Sequence, residues 1–170
     1  MRLAPSGWRC AATVALLLAA VARSVPAAAQ ATPPAPVQLA LQGRIEHPRT
    51  LALEELQALP PVTVQIERTT ASGVQRASFT GALLWTLVTA AGPVDEPGTH
   101  TNLQHTLLAR GRDGYAVALA VGELNPHFEG KQVLIAYAQD GQPLPALRLV
   151  VPVDARAGRN VRDVVSIEIC

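Results

Sequence analysis

Alternating apolar and polar residues predict most of the strands in this chain. Val37, Leu39 and Leu41 alternate with polar or small positions and are followed by Gly43, which is typical of a half-buried strand. The same alternation, together with short apolar runs, predicts further strands along the chain. These span residues 62–66, 74–79, 103–109, 115–119, 133–138, 149–153 and 161–169.

Leucine spacing predicts the helices. Leucines recur on one side of residues 53–59, and the Pro-Pro pair at 60–61 ends that helix. Residues 80–91 carry an apolar stripe of helical period, and the Gly-Pro pair at 92–93 caps and stops the helix. A short turn of helix is predicted at 123–128.

Turn signals connect the predicted elements. Ser72 and Gly73 join two predicted strands into a hairpin, and Asp140 and Gly141 predict a tight turn within a loop at 139–145. Strands and short helices alternate irregularly, without a βαβ rhythm. The sequence therefore predicts an α+β fold with a mixed β-sheet and short helices.

The N-terminus has the pattern of a secretory signal. Arg2 and Arg9 precede an apolar run at 10–22, and the small residues at 27–29 form an A-x-A cleavage site. The run has 13 residues, fewer than the ~20 that span a bilayer as a helix. An uncleaved anchor is the alternative. We predict a signal peptide at 1–29, a Pro/Ala-rich linker at 30–36 and one periplasmic domain at 37–170, secreted and free of the membrane after cleavage.

Charge and cysteine content exclude several classes of function. After residue 29 the chain has eleven Lys and Arg residues against thirteen Asp and Glu residues, a formal charge of −2. This balance offers no general attraction for nucleic acid or anionic membranes. Cys170 is the single cysteine after cleavage, so no disulfide forms within the domain. The sequence has no phosphate-binding glycine motif, nucleophile elbow or Cys-x-x-Cys pair.

The histidines do not predict a metal site. Their spacing fits neither one helical face nor a zinc motif, and solvated loop positions are the expected environment. They are His47, His100, His105 and His127.

Arginines gather around one turn near the end of the chain. The turn spans residues 154–160, between the last two predicted strands. Guanidinium groups that converge on one turn favour a site for phosphate or another oxyanion. The alternative is that they only form ion pairs with Asp154, Asp163 and Glu168. The candidate binding residues are Arg148, Arg156, Arg159 and Arg162.

Five segments occur in an order and spacing that resemble a known family. They are LALEELQALPPVTVQI, FTGALLWTLVTAAG, RDGYAVALAVGEL, VLIAYAQDGQPL and LRLVVPVDARAGRNVRDVVSIEI. Together, over about residues 43–169, they resemble the molybdopterin-binding domain of sulfite oxidase-like oxidoreductases, in particular the short exported bacterial members. The resemblance implies an α+β fold with mixed sheets and molybdopterin as the cofactor. It also implies that the four candidate arginines help to hold the phosphate of the pterin.

The chain departs from this family at the metal ligand. Active members bind molybdenum through a cysteine thiolate placed after the strand that follows the ELQALP helix. Here Glu67, Arg68, Thr69 and Thr70 occupy that stretch. A hydroxyl or carboxylate is a poor substitute for a soft thiolate, so no metal site is predicted.

Three hypotheses remain open from the sequence. The protein is a molybdopterin-dependent oxidoreductase or its accessory subunit, with the pterin held at the arginine turn. Alternatively, it is a binding module that has lost the metal and holds a small anion or a partner protein in the same cleft. In the third hypothesis, Cys170 makes a bond between chains in an interaction protein. The missing thiolate favours the binding module.

Overall fold

Two β-sheets and three short α-helices make up the part of the chain that the structure describes. The computed structural model describes residues 36–70, 73–154 and 156–170, and a compact unit spans Ala35–Cys170. The predicted signal peptide, nearly all of the predicted linker and Ser72 lie outside the described residues. Within the described ranges, no helix has the length and apolar character needed to cross a membrane.

The strands and helices follow one another irregularly. The strands are β1 (Gln38–Gly43), β2 (Arg49–Ala52), β3 (Val62–Thr70), β4 (Gly73–Leu83), β5 (Thr106–Gly111), β6 (Ala116–Ala120), β7 (Leu134–Gln139), β8 (Gln142–Val150) and β9 (Val164–Ile169). The α-helices are α1 (Leu53–Ala58), α2 (Leu84–Ala91) and α3 (Val121–Leu124), and short 3-10 turns span Thr101–Gln104 and Ala157–Arg159.

The five-stranded sheet is mixed and has the strand order β2-β1-β9-β5-β6. β1 and β9 run parallel, with Leu41 opposite Ile167, and the other neighbours are antiparallel. One face of this sheet carries the fully buried Leu39, Leu107 and Ile169. The predicted α+β class with a mixed sheet is confirmed.

The four-stranded sheet is antiparallel throughout, in the order β3-β4-β7-β8. β3 and β4 form the predicted hairpin, and β7 and β8 meet at the predicted tight turn, where Asp140 and Gly141 both have positive φ angles of 51° and 78°. The Oδ1 atom of Asp140 accepts a hydrogen bond of 2.7 Å from the backbone N–H of Ser78. The turn is therefore tied to β4 as well as to the strands that it joins.

The four-stranded sheet buries apolar side chains on both faces. On one face, Ile135 and Leu149 belong to the main core, which also includes Leu87 of α2 and the inner face of the five-stranded sheet. The other face carries a second cluster of Val64, Ile66, Phe79, Leu134, Ala136 and Val150. Each fully buried side chain of this size contributes about 1.5–3 kcal/mol relative to an exposed one. This second face also carries Arg148, which lies opposite Ala136.

The predicted helix at 80–91 begins later than expected, at Leu84, because the preceding residues extend β4. The leucines at 83 and 84 suit a strand end as well as a helix. Cross-strand pairing decides the outcome, since Gly81 lies directly against Ala136 of β7, and the Thr80 and Thr63 hydroxyls share a hydrogen bond of 2.8 Å. The predicted helix end is confirmed, with Gly92 left-handed at φ 66°.

Other element boundaries also differ from the prediction. Most of the predicted loop at 139–145 belongs to β8, which includes Pro143 and Pro145. Proline is tolerated there because β8 is an edge strand of its sheet, and the segment that contains the two prolines pairs with β7 alone among the described strands. The four-residue β2 was not predicted, because so short an element carries too little alternation to be recognised.

Candidate functional site

Arg148 lies in an open groove on the second apolar face of the four-stranded sheet. β8 places it opposite Ala136 of β7. Its guanidinium carbon lies over the ring of Phe79, 5.5 Å from the ring centroid. Nη1 of Arg148 donates a hydrogen bond of 3.2 Å to Oε1 of Gln139. The groove has a volume of about 320 Å³ and is also lined by Ile66, Gln75, Arg76 and Ala77.

The groove combines an apolar floor with cationic and amide groups. Phe79 is only 2% exposed, so its ring is a fixed support for the Arg148 guanidinium. A guanidinium over an aromatic face gains about 0.5–1 kcal/mol at an exposed site. Arg76 also borders the groove, but alternation along β4 points its side chain to the face opposite Ala77 and Phe79, where its Nε donates to Oε2 of Glu67 at 2.7 Å. A groove of this size, with few polar groups on an apolar floor, suits a small ligand that carries an oxyanion.

Arg159 has different surroundings, because two carboxylates bind its guanidinium. Nε and Nη2 donate to the two carboxylate oxygens of Asp154 at 2.8 and 2.6 Å. Nη1 donates to Oε2 of Glu123 at 2.7 Å, and the same oxygen accepts from Nζ of Lys131 at 2.7 Å. Lys131 in turn lies 2.8 Å from Oε2 of Glu129. We call these five residues the carboxylate network.

The network perturbs the pKa of its members. Burial of Glu123 raises its pKa, but the hydrogen bonds from Lys131, Arg159 and the backbone of Ala120 outweigh burial and lower the pKa from 4.5 to about 2. The hydrogen bond to Glu123 raises the pKa of Lys131 above its ordinary value. The hydrogen bond to Asp154, followed by the one to Glu123, raises the pKa of Arg159 as well. All three groups therefore stay charged at neutral pH.

The lowered pKa of Glu123 predicts a loss of stability in acid. A carboxylate with a lower pKa in the folded state stabilises that state above its unfolded pKa, and the contribution disappears as the pH falls through the folded pKa. We expect the free energy of unfolding to decrease between pH 4.5 and about 2, by up to about 3 kcal/mol. Urea unfolding of the wild type and of Glu123→Gln at several pH values in this range measures the free energy of unfolding of each protein. Parallel pH profiles for the two proteins would contradict the assignment.

The structure does not give the four candidate arginines a shared environment. Arg148 and Arg162 lie opposite each other in an antiparallel backbone bridge. Arg148 lines the sheet groove, whereas Arg159 is bound within the carboxylate network. Arg156 and Arg162 are exposed, and neither side chain forms a hydrogen bond or ion pair with another described residue. Of the acidic residues expected to pair with the turn, only Asp154 does so, because Asp163 binds Arg112 and Glu168 lies 3.9 Å from Arg110.

One histidine differs from its predicted environment. His105 is buried, with 4% exposure, and was expected to be solvated. Its Nε2 lies 2.7 Å from Oδ1 of Asp95, and its Nδ1 lies 3.3 Å from the carbonyl oxygen of Cys170. The imidazole is buried because the next residue, Thr106, pairs through its backbone with Cys170 in both directions. His47, His100 and His127 are exposed, as predicted.

The residues present do not fit a thiolate-bound molybdenum. The stretch 67–70, where the family resemblance places the cysteine, is the end of β3 and contains none. Cys170 is exposed and follows β9 in the other sheet, beside Thr106. Among the described residues, no three His, Cys, Asp or Glu side chains form a group that could hold a metal ion.

Sequence reasoning alone missed the partners of the two best-placed arginines. Glu123 reaches Arg159 from 36 positions earlier in the chain and binds Lys131 through the same oxygen, and no local pattern indicates these contacts. Phe79 likewise meets Arg148 only through strand pairing. The one sequence pattern that bears on these positions is the alternation of apolar and polar residues along β4 and β8. It predicts that each strand has two different faces, but it does not predict which strands are neighbours in the sheet.

Comparisons with known proteins identify the fold. Among solved structures, the sulfane dehydrogenase SoxCD from Paracoccus pantotrophus is similar, with a TM-score of 0.62 and 19% sequence identity. The match covers 78% of this chain and 38% of that chain, and at this identity it shows a shared fold alone. The comparison with curated proteins yields no match.

A family model confirms the resemblance that the five sequence segments indicate. The model is described as the oxidoreductase molybdopterin binding domain, and it matches residues 24–170, which is most of the chain. The match includes both sheets, the groove around Arg148 and the carboxylate network. The chain therefore belongs to the family of sulfite oxidase-like oxidoreductase molybdopterin-binding domains.

Proposed function

We propose that this protein is an exported, non-catalytic binding module that holds a small phosphate- or sulfate-type anion in the groove beside Arg148. The observation that carries the proposal is the Arg148 guanidinium, supported by the Phe79 ring and oriented by Gln139 in an open groove of about 320 Å³. The phosphate of a pterin belongs to this ligand class. Export to the periplasm is supported by the signal pattern at 1–29 and is tested by N-terminal sequencing of the periplasmic protein.

Arg148 is favoured over Arg159 because of the groups around each guanidinium. Three donors of Arg159 already bind carboxylate oxygens. An anion placed there would face the negative charges of Asp154 and Glu123, which costs energy at short range. The groove offers the Arg148 guanidinium over the Phe79 ring, and Gln75 lines it with an amide group. Electrostatic attraction in the groove therefore favours an anion, whereas the carboxylate network repels one.

The missing thiolate is the reason for proposing binding without redox catalysis. Without a cysteine near Glu67, the chain lacks the soft ligand through which its family binds molybdenum. The protein purified from its native periplasm should hence contain no stoichiometric molybdenum. Metal analysis that finds about one molybdenum per chain would restore the oxidoreductase hypothesis.

Calorimetry with inorganic phosphate and sulfate tests the anion groove. We expect Arg148→Ala to weaken binding by about tenfold or more, which corresponds to about 1.4 kcal/mol. Binding to the wild type should weaken as salt is added, because exposed charges are screened over about 8 Å at physiological ionic strength. Arg110→Ala is the matched control, since it removes one exposed guanidinium from the other sheet.

The outcomes of this experiment separate the alternatives. Arg110→Ala should change the affinity by less than about twofold, as expected for a distant surface charge. Equal losses in the two variants would mean that net charge, not the groove, attracts the anion. Absence of any heat of binding with either anion would contradict the proposal, and so would a loss confined to Arg159→Ala.

A further inference from the structure

A second open cavity lies beside α2, and we call it the α2 cavity. Its volume is about 140 Å³, and a cavity of about 150 Å³ in a protein core is large enough to hold benzene. Its apolar wall is formed by Trp85, Val88, Pro93 and Val121, and its polar wall by Thr89, Asp95, Asn102 and His105. None of these residues lines the Arg148 groove or belongs to the carboxylate network. The α2 cavity is therefore a separate candidate site, and no inference about it depends on the anion groove.

Asp95 supplies the negative charge of the α2 cavity. It is the only Asp or Glu among the described lining residues, and none of them is Lys or Arg. Its Oδ1 lies 2.7 Å from Nε2 of the buried His105, whereas its Oδ2 has no hydrogen-bond partner among the described residues. The Asp95 side chain is 47% exposed, so a ligand can reach Oδ2. A carboxylate oxygen that is free in this way attracts a group that combines positive charge with N–H donors.

The loop that carries Asp95 is held in place on both sides of this residue. The backbone N–H of Val94 donates to the carbonyl oxygen of Arg44 at 3.0 Å. The hydroxyl of Thr101 donates to the carbonyl oxygen of Glu96 at 2.7 Å. The carboxylate is therefore positioned before a ligand binds, which reduces the entropy lost on binding.

The apolar wall sets a second requirement on the ligand. Trp85 is partly buried, and Val88 and Val121 are 1% and 3% exposed. Indole is the side-chain ring that attracts organic cations most strongly, and it also packs well against another ring. We propose that the α2 cavity binds a small organic ammonium ion with an apolar body. Its N–H groups donate to Oδ2 of Asp95, and its body packs against the apolar wall.

A fluorescence titration with benzylamine tests the proposal, because this amine combines one ring with one ammonium group. Trp85 reports binding in a full-length Trp8→Phe background, where it is the only tryptophan. A pH of about 8 keeps benzylamine protonated, as expected for a primary amine. We expect a saturable change with a dissociation constant of about 1 mM or lower. Benzyl alcohol has nearly the same shape without the charge and should bind at least about tenfold more weakly.

Asp95→Asn tests the carboxylate and keeps an oxygen acceptor beside His105. It should weaken benzylamine binding at least about tenfold and change benzyl alcohol binding by less than about twofold. Glu96→Gln is the matched control, because Glu96 is the next residue, pairs with Arg44 and does not line the cavity. It should change benzylamine binding by less than about twofold. The comparison of the two ligands uses the unaltered cavity, so it decides the question even if Asp95→Asn unfolds.

Three results would overturn the proposal. The first is no saturable change in Trp85 fluorescence up to about 10 mM benzylamine. The second is equal affinity for benzylamine and benzyl alcohol, because the cavity would then bind apolar rings without using Asp95. The third is an equal loss of benzylamine affinity in Asp95→Asn and Glu96→Gln, because the general negative charge of this surface would then attract the amine.

Discussion

Gly81→Ala should be among the most destabilising single substitutions in this domain, with a loss of about 3 kcal/mol in the free energy of unfolding. A Cβ atom at Gly81 would lie 2.2 Å from the carbonyl oxygen of Ile135 and 2.6 Å from Cα of Ala136. Both are backbone atoms, so no side-chain rotation relieves the overlap. β4 would have to move away from β7 beside the register shift at Thr80, and the apolar clusters on both sheet faces would lose packing.

Gly158→Ala is the matched control for this prediction. It adds the same methyl group at a glycine with no heavy atom within 4 Å of the added Cβ and no positive φ angle. Its stability should stay within about 0.5 kcal/mol of the wild type. Urea unfolding at neutral pH compares the two variants. If Gly81→Ala were as stable as Gly158→Ala, the close pairing of β4 and β7 would be wrong.

Arg159→Ala should lower stability by about 2 kcal/mol while leaving anion binding unchanged. Removal of the guanidinium leaves the partly buried carboxylates of Asp154 and Glu123 beside each other, with only Lys131 to compensate. Arg159→Lys should recover only part of the loss, because an ammonium group cannot reproduce the two-point contact with Asp154. A loss of stability with unchanged anion binding would mean that Arg159 stabilises the turn and does not bind the ligand.

The control for this prediction is Arg112→Ala. Arg112 donates to Asp163 at 2.8 Å, but both side chains are well exposed, and such pairs contribute about 0–1 kcal/mol. Thermal unfolding together with phosphate calorimetry on each variant measures both quantities. Equal stability losses for Arg159→Ala and Arg112→Ala would contradict the special role of the carboxylate network. Loss of phosphate binding in Arg159→Ala would place the anion at the turn.

The sequence predicts the fold class because alternation and turn chemistry are local. The tight turn at Asp140 and Gly141 and the left-handed cap at Gly92 depend only on residues beside them. The start of α2 could not be predicted, since the leucines at 83 and 84 suit a strand or a helix equally well. Contact between Gly81 and β7 decides between them, and that contact joins residues more than 50 positions apart.

The candidate site was only partly predictable for the same reason. Clustering of arginines at 148–162 is visible in the sequence, but the sequence cannot show which guanidiniums meet carboxylates. Glu123 binds Arg159 through a contact between α3 and the 3-10 turn, and Phe79 reaches Arg148 across β7. The absence of a cysteine at 67–70, in contrast, is a property of the sequence alone. The expectation that this chain does not bind molybdenum through a thiolate therefore follows from the sequence without the structure.

Anomalous diffraction from crystals soaked in sodium selenate tests the central claim most directly. Selenate has the shape and charge of sulfate, and selenium locates the bound anion without ambiguity. We predict a selenium peak in the groove, with selenate oxygens within about 3 Å of the Arg148 guanidinium nitrogens, and no such peak in crystals of Arg148→Ala. Selenium peaks only at Arg156, Arg159 or Arg162, in crystals whose groove is open to solvent, would contradict the assignment of the anion site to Arg148.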